Sequence, residues 1–163
     1  MPRLAIITDS ACSIPPEMQE EYQIVVVPLT FLLGETSYVD NVSLTWQEFY
    51  SLLKSARRLP TTASASPGAF LDAFREAYQR GSREVLCIVT SSQLTATYNA
   101  ACDGAALARE QMADLRVRVI DSRSAAGALA LVVLAAARAA ANGAALEEDG
   151  ACWGDSDGWG WDG

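Results

Sequence analysis

Thr90-Ser91-Ser92-Gln93-Leu94-Thr95-Ala96-Thr97 carries five hydroxyl side chains in eight positions. A hydroxyl is a weak nucleophile unless a base takes its proton, but it donates well to an anionic oxygen. The chain has no histidine, so no Ser-His-Asp triad, Cys-His pair or His-based metal site forms within it. Lys54 is the one lysine, in a segment predicted as an exposed helix, where a solvated surface role is expected. There is no GxxxxGK[ST] loop for nucleotide phosphates. What remains for the hydroxyls is holding rather than cleaving. They cap helices, or they anchor a carboxylate without adding a charge of their own.

The same residue types recur where predicted strands end. Thr8-Asp9-Ser10 follows the first, Thr90-Ser91-Ser92 a central one and Asp121-Ser122 the next. In a parallel α/β sheet such ends share one edge, the usual place for a ligand, and helix N-termini there offer free N–H groups to an anion. Asp9 and Ser10 are candidates on this ground. The loop Thr61-Thr62-Ala63-Ser64-Ala65-Ser66 supplies further hydroxyls. Helix capping accounts for any one of these residues; one cap per helix would suffice, and the surplus favours a ligand anchor.

The elements that must position them alternate. Leu4 to Thr8 is a short apolar strand, and Pro15-Pro16 starts a helix. Residues 24–31 are β-branched and predict a strand, with Pro28 at its end or on an edge. Gly34 marks a turn before a short returning strand. Residues 43–56 predict a helix opened by a Thr45-x-x-Glu48 capping box. Residues 59–68 are a polar loop, and Pro67 begins the next helix. Glu84 to Thr90 and Leu115 to Asp121 are strands, separated by an alanine-rich helix. A long apolar helix then ends at Asn142-Gly143, a left-handed cap. Strand–helix alternation predicts an α/β fold, a mainly parallel sheet flanked by helices.

Composition narrows the classes. The 163 residues are 50% hydrophobic, enough for one core. The net charge of −8 comes largely from six acids after Arg138, where no base occurs; the rest holds 14 acids against 12 bases. No basic stripe suggests nucleic acid. Cys12, Cys87, Cys102 and Cys152 form no CxxC pair, so neither disulfides nor a metal centre is expected. Asn41-Val42-Ser43 matches the glycosylation sequon, by chance in a chain without a secretory signal. The apolar run 125–137 is shorter than the roughly 20 residues that span a bilayer. A soluble, cytoplasmic protein without membrane insertion is expected. Residues 149–163 differ in kind, rich in Trp, Gly and Asp. Their closing GxGxxG match lacks the strand and helix of a dinucleotide site, and Asp155-x-Asp157 lacks the rest of a calcium loop.

Taken in order, the motifs resemble those of the DegV family of bacterial fatty-acid-binding proteins. Ile7-Thr8-Asp9-Ser10 matches its ITDS-type segment and Val26-Val27-Pro28-Leu29 its VVPL-type strand. Thr61 to Ser66 matches a TTSQPS-type loop, Ser91 to Tyr98 an SSxLSGTY-type segment, and Val119 to Ser122 a viDS-type strand end. The resemblance implies that the chain binds a long-chain fatty acid and is not an enzyme. It places the carboxylate on Thr62 and Ser92, with Ser91, Thr95 and Thr61 as neighbours. It also implies presentation of the acyl group to a separate fatty acid kinase, with no other cofactor.

Two departures qualify the match. Ala63 and Ala65 stand where the family has serine and proline, and Thr95-Ala96 replaces a serine–glycine pair. The resemblance stops near Glu148, whereas the family continues into a second domain. The expectation is therefore an N-terminal domain, 1–148, followed by a non-homologous tail, 149–163, from a truncated or frame-shifted chain. Such a half-pocket would favour weaker binding and self-association. Two other readings stand beside this one: a small-metabolite kinase or phosphotransfer subunit, and a chain that no longer binds lipid.

Overall fold

The computed structural model describes residues 4–40, 43, 45–56, 59–146 and 152–153. Chain order begins with β1 (Leu4–Asp9), a one-turn 3-10 helix (Ser10–Cys12), α1 (Pro16–Glu21) and β2 (Val25–Val27). β3 (Thr30–Leu33), β4 (Thr36–Val39), α2 (Trp46–Ser55), β5 (Thr61–Ala63) and α3 (Pro67–Gln79) follow. The second half runs β6 (Glu84–Val89), α4 (Thr97–Gln111), β7 (Arg116–Asp121), α5 (Ala126–Ala141) and β8 (Cys152–Trp153).

The main sheet has the order β2-β1-β6-β7-β8, with every neighbouring pair parallel. Both faces are covered, so its strands are nearly continuous apolar runs. Alternation divides them between two cores. Ile7, Val85, Cys87, Val89, Val117 and Val119 pack with Phe70 and Phe74 of α3 and with the alanines of α4. Leu4, Ile6 and Ile88 pack on the opposite face with Leu129, Val133 and Ala137 of α5. Burying each large apolar side chain contributes about 1.5–3 kcal/mol. Because β2 lies to one side of β1 and β6 to the other, strand order reverses between β1 and β6, where open α/β sheets bind ligands.

Residues 24–31 do not form one strand. β2 ends at Val27, and beyond Pro28-Leu29 the chain joins a second, antiparallel sheet of order β4-β3-β5. Pro28 has no N–H for the ladder, while the Leu29 N–H donates to Ser10 Oγ at 3.0 Å. The predicted loop over 59–68 also holds more order than expected. Thr61–Ala63 pairs with Thr30–Leu32 as an edge strand, which suits β-branched threonines.

Several local expectations hold. Thr45 and Glu48 form both halves of the capping box. Ser66 caps α3, with Pro67 in its first turn. Gly143 has φ +90° just past α5. Gly104 allows a close crossing of α3 and α4: a Cβ there would lie 2.8 Å from both Phe70 Cβ and Pro67 O. Within the tail 149–163, Cys152–Trp153 pairs with Val119–Ile120 at the sheet edge; the rest of 149–163 lies outside the described residues.

Candidate functional site

The C-terminal edge of the sheet is organised around the β6–α4 loop, residues 90–96. Two aspartates grip it, one from each flanking strand. Asp9, the last residue of β1, accepts from Thr90 N at 2.6 Å through Oδ2 and from Thr90 Oγ1 at 2.8 Å through Oδ1. Asp121, the last residue of β7, accepts from Ser92 N at 3.2 Å and from Ser92 Oγ at 2.5 Å. Each aspartate also closes its own turn: Asp9 accepts from Ala11 N at 3.0 Å and Asp121 from Arg123 N at 2.9 Å. These are Asx-turns, a local geometry that Asp-Ser pairs favour.

Burial separates the two clamps. Asp9 and Thr90 are buried, whereas Asp121 is half-buried and Ser92 exposed. Between them, buried Ser91 donates its N–H to Ser124 O at 2.9 Å, and its Oγ accepts from Gln93 N at 3.3 Å. Thr95 Oγ1 donates to Thr97 Oγ1 at 2.7 Å and accepts from Thr97 N at 3.1 Å. The N-cap position of α4 is Ala96, with no side-chain cap, so the hydroxyls of the loop chiefly fix one another and the backbone.

Burial pushes the Cys12 thiol up from its ordinary value, and the nearby Asp9 charge acts in the same direction. The adjoining Thr8 hydroxyl is buried beside it. Among the described residues, no group of three His, Cys, Asp or Glu is placed to hold a metal ion. No described helix is long and apolar enough to cross a membrane.

Beside this loop lies an open groove of about 600 Å³, within the range of small-molecule sites. One wall is the cross-strand row Val39, Thr30 and Ala63 of the small sheet. The other is formed by Ser66, Pro67 and Ala69 at the start of α3 and Ala96, Asn99 and Ala100 at the start of α4. Two helix N-termini therefore open onto a largely apolar trough.

The seven expected site residues do not share one wall. None of Asp9, Ser10, Thr61, Thr62, Ser91, Ser92 and Thr95 is among the groove-lining residues. Ser10 is engaged with Leu29 N, and both Asp9 oxygens are engaged with the protein. Thr62 pairs with Phe31, in the strand row that carries the Phe31–Tyr38 ring stack, while Ala63 pairs with Thr30 in the groove row. Alternation thus puts Thr62 on the face opposite the groove. Asp121, Ser64 and Ser66 stand in the sequence among the strand-end and loop positions but not among the expected ligand contacts, and Asn99 of the groove carries no sequence signal. The repeat of Asp-Ser at 9–10 and 121–122 was the signal available for Asp121.

A family model described as "Uncharacterised protein, DegV family" matches residues 3–149. The chain belongs to the DegV family. A DegV domain-containing protein of Caldanaerobacter subterraneus is 38% identical over 148 residues, covering 91% of this chain and 51% of that relative. The chain spans about half the length of the curated relatives it matches. Among solved structures, a stearic acid-binding protein from Eubacterium ventriosum superposes with TM-score 0.79 at 30% identity, over 86% of this chain and 48% of that one. DegV of Bacillus subtilis, described as a fatty acid binding protein, gives 0.77 at 31% identity, over 89% and 50%. The Streptococcus pneumoniae fatty acid kinase B3 protein, loaded with linoleic acid, shares the fold at TM-score 0.73 and 24% identity, over 87% and 50%.

Proposed function

We propose that this DegV chain binds a long-chain fatty acid, its head group at the β6–α4 loop and its acyl chain along the adjoining groove. The observation that carries the reading is a trough with mainly apolar lining that meets a rigid hydroxyl-bearing loop at Ala96. Relatives of the same fold, at 30% and 31% identity, are described as fatty-acid-binding. Ser92 is the exposed hydroxyl of the clamped loop and the leading anchor. Ser91, Thr95 and Thr61 are its proposed neighbours, Thr62 lying on the opposite face of β5; Asp9 supports the loop from beneath, and Ser10 holds the chain at Leu29. The chain itself performs no chemistry on this reading; it carries the acyl group in the cytoplasm and presents it to a separate fatty acid kinase.

Native mass spectrometry of the gently purified 163-residue chain tests the reading. An added acyl-sized mass is expected, reduced in Ser92→Ala. Absence of lipid from this chain and from a full-length relative prepared in the same way would refute it.

A further inference from the structure

We propose that Asp103 is a specificity-determining residue of the groove. Its carboxylate keeps negative charge out of the end away from the β6–α4 loop, so the groove takes a chain with one acidic end and refuses an α,ω-dicarboxylate. This rests on the fatty-acid reading and specifies which chains that site accepts.

The decisive feature is where charge is placed. Ala96, Asn99, Ala100 and Asp103 all line the groove, and their spacing of three and four residues puts them in one stripe along α4. Asp103 stands seven residues beyond Ala96, about 10 Å down that stripe at about 1.5 Å per residue. Among the described residues that line the groove, Asp103 is the one with an ionisable side chain. It is exposed, and among the described residues no cation forms an ion pair with it.

The two ends of the groove are therefore electrostatically unlike. At one end, the first turn of α4 begins at Ala96 with no side-chain cap, so its N–H groups leave a partial positive charge. At the other, α4 crosses the start of α3 at Gly104, the residue after Asp103, where a Cβ would lie 2.8 Å from Pro67 O. The N-terminus of α3 already has Ser66 as its cap, accepting from Ala69 N at 3.2 Å. The Asp103 carboxylate offsets what remains of its positive field. A fatty acid then lies with its carboxylate toward Ala96 and its methyl end toward Asp103. A second carboxylate at the far end would face a like charge, whereas a far-end ammonium would face an opposite one.

The test displaces a fluorescent fatty-acid probe from the delipidated 163-residue chain with laurate, dodecanedioate and ω-aminolaurate, at low salt and a mildly alkaline pH. These three have the same chain length, slightly longer than the reach from Ala96 to Asp103, and differ in far-end charge. The native chain should bind ω-aminolaurate about tenfold more tightly than dodecanedioate, the combined scale of one exposed attraction and one exposed repulsion. Asp103→Asn should bring the two within about twofold of each other, and Asp103→Lys should invert their order. Added salt should shrink the native preference by screening. Glu110→Gln makes the same change in net charge as Asp103→Asn, at an exposed position of α4 that does not line the groove, and should leave the preference intact.

A merely solvated Asp103 predicts that its substitution shifts all three chains by one factor or by none. That result, or an equal loss of preference in Glu110→Gln, overturns the proposal. Circular dichroism checks the fold of each variant. If neither Asp103 variant folds, the native chain still decides: equal affinity for ω-aminolaurate and dodecanedioate, or a preference that salt does not reduce, is equally fatal. Laurate or palmitate bound without far-end discrimination overturns this inference and leaves the fatty-acid reading standing. Displacement by none of these chains, palmitate included, overturns both.

Discussion

The two aspartate clamps have the same local design and opposite surroundings. Asp9 and Asp121 each end a strand, each close an Asx-turn, and each take an N–H and an O–H from a residue of the same loop. Asp9 and Thr90 are sealed within the molecule, whereas Ser92 stands at the surface. A buried acceptor that loses its donors, or donors that lose their acceptor, incur the full desolvation penalty; exposed ones turn to water. The same hydrogen bonds are thus structural at one end of the loop and available for recognition at the other.

The sharpest way to break this comparison is to remove each carboxylate in turn. Asp9→Ala would leave Thr90 N, Thr90 Oγ1 and Ala11 N without their acceptor, at a cost of roughly 3–5 kcal/mol. Most of a marginal fold would be lost. Asp121→Ala should cost about 1 kcal/mol, because water replaces the carboxylate. Urea unfolding of both variants checks the pair, and equal costs would end the distinction.

Gly104→Ala comes next, at about 1–3 kcal/mol by overpacking against Phe70 and Pro67. Because Pro67 and Ala69 of α3 and Ala96 and Asn99 of α4 line the same groove, acyl capture should fall along with the melting temperature. A stability loss with unchanged capture would detach the groove from the helix crossing. The smallest effect concerns Cys12. With its thiol pushed up by burial, it should react with iodoacetamide far more slowly than half-buried Cys102 near pH 8. The raised thiol favours the protonated native state, so its contribution to stability is lost only as pH rises above the ordinary 9.0. Equal labelling rates would show that the Asp9 end of the loop is open.

Much of the fold was legible because its signals are local. Thr45 and Glu48 announced α2, Pro67 announced α3, and the apolar runs of β1 and β6 announced strands buried on both faces. Pro28 marked the end of β2 but not the change of sheet that follows, since the partners of β3 lie in β4 and β5. Thr61–Ala63 was legible only as a loop because an edge strand of three residues has too few positions to show alternation. At the site, the hydroxyl density of 90–97 was visible and its division of labour was not. Thr62 illustrates the limit: a threonine in a polar loop gives no clue to which face of a sheet it will occupy.

By itself the sequence determined the residue types at each strand end, the family, and the absence of histidine chemistry. Those follow from composition and short-range pattern. Only the tertiary structure decided which Asp-Ser pair is buried and which is open, and that Asp121 takes both donors of Ser92. Parallel pairing brings residues 29 and 81 positions apart into hydrogen-bond contact, and burial by α5 and the neighbouring strands sets what each contact is worth. Neither is written in the local pattern of Asp and Ser.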